Sequence, residues 1–207
     1  MTLTIYLIRH AETDKNATKI NPLESSFVQE KNAYLNRNGK FQAMILGHYF
    51  RDKEIKIEAI YSSPLLRTFE TAETIMKYIN DDGTIDILVE DRLLSHKSKI
   101  KKEEKKDFSQ NIDNKIRDRS TLNKIVTDLI TDLLEWHGEN NSTIILVTHN
   151  HIIDTFYNMF IEKDYYNKTN KKYKVNNCSV SCIEFENIDK YKVNKWNKTI
   201  EVVYKLV

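Results

Sequence analysis

The stretch Leu3-Thr4-Ile5-Tyr6-Leu7-Ile8-Arg9-His10 decides the fold. Six consecutive β-prone residues read as a buried strand. An arginine and a histidine then stand at its C-terminal tip, where open α/β sheets place their ligand sites. A second run, Thr143-Ile144-Ile145-Leu146-Val147-Thr148, repeats the pattern and also ends in a histidine, His149.

Strand-like and helix-like segments alternate outward from these runs. Residues 36–52 read as a helix with Phe41, Met44, Ile45 and His48-Tyr49 on its apolar side. Residues 57–61 read as a strand, and 64–79 as a helix with Leu65-Leu66, Phe69, Ala72, Ile75-Met76 and Ile79 at helical spacing. A strand at 85–89 follows, then an amphipathic helix at 120–137 with Leu122, Ile125-Val126, Leu129-Ile130 and Leu133-Leu134. The strand at 143–148 leads into a helix at 151–160, and strands at about 178–185 and 199–206 finish the chain. The alternation predicts an α/β three-layer sandwich, a largely parallel central sheet flanked by helices. At 207 residues the chain fits a single domain, 1–207, with one charged insertion at about 95–118. Lys97 to Lys106 holds six lysines, two glutamates and one apolar residue, which reads as a solvated surface segment or a basic lid. Lys168, Lys171, Lys172 and Lys174 among tyrosines carry the same two readings.

Composition narrows the classes. The net charge of +2 leaves no electrostatic footprint for nucleic acid. No apolar run approaches the ~18 residues of a membrane span, and the N-terminal run lacks the flanks of a signal peptide. The two cysteines, Cys178 and Cys182, would lie about 13 Å apart on one strand at ~3.3 Å per residue, too far for a disulfide. A reduced, cytoplasmic setting is expected. The four glycines are dispersed, so no phosphate-binding Gly-rich loop and no Gly-x-Ser-x-Gly elbow exists. Of 32 basic residues only 7 are arginines, which makes each guanidinium informative.

Two arginines fall where the histidines do. In Tyr61-Ser62-Ser63-Pro64-Leu65-Leu66-Arg67-Thr68 a strand ends, Ser63 can cap the next helix, Pro64 suits its first position, and Arg67 lies in its first turn. A cation there opposes the helix dipole unless an anion is near. Thr13 and Asn16, in the loop after His10, can donate to phosphate oxygens. Parallel strands bring their C-terminal ends to one side, so Arg9, His10, Arg67 and His149 converge. The expected result is a pocket for a dianionic phosphoryl group with an imidazole poised to attack it. His149-Asn150-His151 alone supplies too few ligands for zinc, and no metal or cofactor is expected.

The chain resembles the histidine phosphatase (phosphoglycerate mutase-like) superfamily. The resemblance rests on Leu7-Ile8-Arg9-His10-Ala11-Glu12-Thr13 with Asn16, on Leu35-Asn36 with Gly39 and Gln42-Ala43, and on Tyr61 to Thr68 with Thr71-Ala72. Ile145-Leu146-Val147-Thr148-His149 and Asn177-Cys178-Ser179-Val180-Ser181 complete it, in family order across nearly the whole chain. It implies a metal-independent phosphomonoester hydrolase in which His10 becomes phosphohistidine and Arg9, Asn16, Arg67 and His149 hold the phosphoryl oxygens. It also implies a small phosphorylated substrate or phosphopeptide as partner, with no nucleic acid and no membrane.

Two positions depart from the family pattern. Ala11 stands where the family usually has glycine. The general acid, a Glu of a Leu-x-Glu segment in one branch and an Asp after the second His in the other, falls here on Ser95 and Asn150. His96, one residue away and titrating near neutrality, is the candidate acid, with Glu90, Asp91 and His151 also close in sequence. Two other functions fit the same fold: a catalytically impaired phospho-ligand-binding or regulatory protein, and a mutase. Ser95-His96-Lys97-Ser98-Lys99 counts against the mutase, since glycolytic mutases carry Glu-Arg-x-Tyr-Gly there.

Overall fold

A computed structural model describes residues 1–17, 33–79, 83–94, 119–163, 165–169 and 173–200. The charged insertion at 95–118, His96 and the lysines of 97–106 lie outside the described residues.

The apolar run at the N-terminus forms β1 (Leu3–Arg9), and the second run forms β4 (Thr143–Thr148). With β2 (Ala59–Ser62), β3 (Ile87–Val89), β5 (Val180–Phe185) and β6 (Tyr191–Lys198) they make one sheet in the order β3-β2-β4-β1-β5-β6. The first four strands run parallel, and β5 and β6 add antiparallel at the far edge. Alternate residues of each central strand face opposite layers. Leu3, Ile5, Leu7, Ile144 and Leu146 pack toward α3 (Arg119–His137) and α4 (Asn150–Phe156). Ile8, Ile60, Ile145 and Val147 pack toward α1 (Arg37–Asp52) and α2 (Leu66–Ile79). This is the expected three-layer α/β sandwich, and it explains why both strands read as unbroken apolar runs: they are covered on both faces.

The buried face of α1 is not the one its large residues suggest. Gly39, Ala43, Leu46, Gly47 and Phe50 are buried, whereas Phe41 is 46% exposed. Close packing selects small residues here. A Cβ on Gly47 would stand 2.8 Å from Cβ of Tyr78 on α2, and one on Gly39 only 2.0 Å from the Glu12 carbonyl oxygen. Phe41 and Met44 instead line a groove of about 950 Å³ between α1 and α2, whose walls do not include His10.

Other boundaries differ from expectation. The helix after β4 runs as α-helix only to Phe156 and continues as a π-turn, Tyr157–Ile161. A short helix α5 (Tyr165–Thr169) follows, and Tyr173 stacks on Tyr157 at 3.9 Å. Cys178 precedes β5 in a left-handed turn (φ 52°), and both cysteines are free and buried. The last described strand is 191–198, ahead of the expected 199–206, much of which lies outside the described residues. Its lysines and asparagines hide the alternation, because an edge strand tolerates polar residues on both faces. Among the described residues no helix is long and apolar enough to cross a membrane.

Gly39→Ala tests the closest of these contacts. The methyl meets backbone, which cannot swing aside, so the variant should lose about 1–3 kcal/mol in denaturant unfolding. A change under about 0.5 kcal/mol would mean that α1 and the Glu12 loop separate without penalty.

Candidate active site

Because β4 lies between β1 and β2, the C-terminal ends of all three strands stand side by side. Ile8, Val147 and Ser62 share one row of the sheet, and the ladder continues one step past it through Ser63 N to Val147 O (3.1 Å) and His10 N to Thr148 O (2.9 Å). His10, Ser63 and His149 are therefore carried to one end of the sheet by strand register.

His10 is 5% exposed, and its Nδ1 lies 2.8 Å from the Ala11 carbonyl oxygen. A carbonyl only accepts, so Nδ1 carries the proton and the lone pair is left on Nε2. His149 is 3% exposed, with ring centroid 5.3 Å from that of His10. Arg67 Nη2 stands 3.2 Å from its Nδ1 and Ser63 Oγ 2.9 Å from its Nε2. A guanidinium only donates, so this ring has the opposite tautomer: Nδ1 accepts from Arg67 and Nε2–H donates to Ser63. Ser63 Oγ thus accepts from His149, just ahead of α2, which starts at Leu66. Arg9, the last residue of β1, donates from Nη1 to the Val175 carbonyl.

Burial lowers the pKa of both histidines well below the ordinary value, and Arg67 and Arg9 lower them further. Burial, with the charge of Arg9 added, also brings Arg67 down to about 10. The site at neutral pH therefore holds two guanidiniums and two neutral imidazoles. Such a cradle attracts an anion while leaving one imidazole lone pair free to act as a nucleophile.

The loop after His10 is held from three sides. Ala11 N donates to Thr71 Oγ1 of α2 (3.0 Å), and Glu12 N donates to Gln42 Oε1 of α1 (3.0 Å). Asn36 caps α1 through Gly39 N (2.8 Å) and donates to Glu12 Oε1 (2.9 Å). From the third side, Cys178 N reaches the carbonyls of Arg9 (3.1 Å) and His10 (3.3 Å), and Asn177 Nδ2 reaches that of His10 (3.1 Å). The positive φ of Cys178 costs about 1–2 kcal/mol; it aims that N–H at the two carbonyls. Ala11 sits fully buried in the α1–α2 side of the core with no positive φ, so the methyl in place of the family's glycine is accommodated.

The structure brings Arg9, His10, Arg67 and His149 together as the sequence predicts. The Thr13 hydroxyl donates to Asn16 Oδ1 (2.9 Å) and so orients the Asn16 side chain. Asn177 also approaches Asn16 Oδ1 (3.5 Å), which turns the Asn16 amide N–H₂ the other way. Of the two described carboxylate candidates, Glu90 is not a free acid. Glu90 accepts from Arg92 N, Nε and Nη2, and Asp91 lies in the short 3-10 turn it caps. Among the described residues no cluster of three His, Cys, Asp or Glu could hold a metal.

A sequence model of the histidine phosphatase superfamily (branch 1) matches residues 5–199. The chain belongs to this family. Its similarity to the broad-specificity phosphatase YOR283W of Saccharomyces cerevisiae is 30% identity over 81 residues. That stretch is 39% of this chain and about a third (33%) of the yeast protein's length. The ecdysone phosphate phosphatase of the silkworm Bombyx mori shares the fold, with TM-score 0.70 and 16% identity over 96% of this chain and 94% of that one. A phosphoglycerate mutase of Bacillus anthracis does so with TM-score 0.68 and 19% identity, over 96% and 94% of the two chains. These structures share the sandwich, and the family match supports phosphatase activity in general.

The lowered histidine pKa values have a pH signature. The unfolded rings take up protons below about pH 6.5 while the folded rings stay neutral. Their contribution to stability is therefore complete above that pH and is lost as pH falls toward the folded values. In phosphate-free buffer, His10→Gln should flatten the acid-side slope of unfolding free energy by up to about 1.4 kcal/mol per pH unit. Parallel slopes for wild type and variant would show that His10 is protonated normally in the folded protein.

Proposed function

We propose that this protein is a phosphomonoester hydrolase that works through a phosphohistidine on His10. The observation that carries the reading is the His10 Nδ1 contact with Ala11 O, which leaves a neutral Nε2 lone pair beside two guanidiniums. Nε2 attacks phosphorus as the P–O bond to the leaving group breaks, and the departing oxygen takes a proton. Water then attacks the phosphohistidine, releasing inorganic phosphate and regenerating the neutral ring. Arg9, Arg67, the Asn16 amide and His149 meet the charge on the equatorial oxygens. His149 can serve as a donor by turning its Nε2–H from Ser63 to the phosphoryl group. The chemistry needs no metal, because the two guanidiniums supply the positive charge. A small phosphorylated molecule or phosphopeptide in a cytoplasmic setting is the matching substrate class.

Asn150 and the locked Glu90 offer the leaving group no proton. This favours a second reading, a phospho-ligand-binding protein with little turnover. His96 remains our candidate acid. A weak or absent acid costs about 10²–10⁴ in rate, mainly for alkoxide leaving groups. Turnover of p-nitrophenyl phosphate should therefore exceed that of sugar phosphates by a comparable factor. Equal rates would show that an efficient acid is present.

The deciding experiment is a phosphatase panel on wild type and His10→Ala with an acid-quench assay for phosphohistidine. The substitution should remove both the labelled intermediate and the activity, by roughly 10³-fold or more. Tight phosphate binding with no label in wild type would establish the binding protein instead, and interconversion of 2- and 3-phosphoglycerate the mutase.

A further inference from the structure

We propose that Asn150 is a positioning residue for Arg9, acting through the backbone carbonyl of Val175. The inference rests on the phosphoryl-binding role given to Arg9 above.

Asn150 is the first residue of α4, directly after His149. Its Oδ1 accepts from Val175 N (2.8 Å) and its Nδ2 donates to Tyr173 O (3.2 Å). A backbone N–H only donates and a carbonyl only accepts, so the amide has one consistent orientation. A carboxylate in the same place could satisfy the first partner and would face the second oxygen to oxygen. The segment that Asn150 holds is buried at Val175 (1% exposed), and the Val175 carbonyl accepts from Arg9 Nη1. Arg9 Nε is buried and has no hydrogen-bond partner among the described residues. The Val175 carbonyl therefore fixes where the guanidinium plane lies, and Asn150 holds the residue that carries it through the Val175 N–H. Asp154 Oδ1 also ties the segment, accepting from Tyr173 N (2.6 Å), and Asn197 Oδ1 accepts from Asn176 N (3.1 Å), on the far side of the peptide that carries the Val175 carbonyl.

Neighbouring residues at the start of α4 thus do different work. His149 faces His10 and Arg67, and Asn150 reaches the 173–175 segment and through it the arginine of β1. Both ends of the Asn150 amide are bound to that segment, so its side chain is not placed to protonate a leaving group.

The test measures affinity for inorganic phosphate by isothermal titration, which needs no turnover and so remains informative if the hydrolase reading fails. Asn150→Ala should weaken phosphate about tenfold with Arg9 present and less than twofold in an Arg9→Ala background. A purely structural role would weaken binding equally in both, and that result, or no weakening with Arg9 present, would overturn the proposal. The isosteric Asn150→Asp guards against misfolding of the alanine variant. It should also weaken phosphate, and it should not raise turnover of alkyl phosphates relative to p-nitrophenyl phosphate. A tenfold relative gain on alkyl phosphates would show that the side chain faces the substrate and that the proposal is wrong.

Discussion

The hydrogen bond between His10 Nδ1 and the Ala11 carbonyl is the interaction on which the site depends. It fixes one tautomer, and the tautomer fixes which nitrogen has a lone pair. The backbone from Arg9 to Glu12 that carries this bond is held in place. Its carbonyls and amides are held by Cys178, Asn177, Thr71 and Gln42, from segments far apart in sequence. Most of the polar motif positions outside the charged quartet find their use in this clamp. Gly39 lets α1 approach Glu12, Asn36 joins the helix start to the same glutamate, and Thr71 links the loop to the arginine helix through Arg67 O (2.6 Å).

The electrostatics follow from the packing. Two buried guanidiniums near two imidazoles would be unfavourable if the rings were also charged. Burial and the arginines act in the same direction, so both rings stay neutral. They are neutral with opposite tautomers, one leaving Nε2 as a base and the other presenting Nε2–H as a donor. The same fold thus makes two chemically different groups from one residue type by giving each a different backbone or side-chain partner.

The sandwich was legible because β1 and β4 are covered on both faces, which leaves an apolar run that few other arrangements produce. The charged quartet was legible because each member sits at or just after a strand end. What escaped the reading was decided by tertiary contact. The buried stripe of α1 sets Gly39, Ala43 and Gly47 beside Leu46 and Phe50, whereas hydrophobicity alone points also to Phe41 and Met44. Ser63 reads in sequence as a helix cap, and that reading misses the buried Nε2–H of His149, which its hydroxyl accepts. Thr13 reads as a ligand donor, and its bond to Asn16 Oδ1 shows only in the fold. The strand at 191–198 has the composition of a loop, and only its pairing with β5 makes it a strand.

That last strand has a consequence for how the molecule behaves in a crowd. Among the described residues the sheet has two edges, β3 and β6, and a sheet edge is a template that another chain can extend. One edge here, β3, is three residues long. The other carries Lys192, Lys195 and Lys198 within eight residues, beside Asn194 and Asn197, and its pairing with β5 is irregular around Cys182. Charge and irregular register make that edge a poor partner for an approaching strand, and shortness does the same for β3. With a net charge of only +2, the protein has little overall repulsion to keep copies apart. Its protection against edge-to-edge aggregation is local, written into the strand that looked least like one.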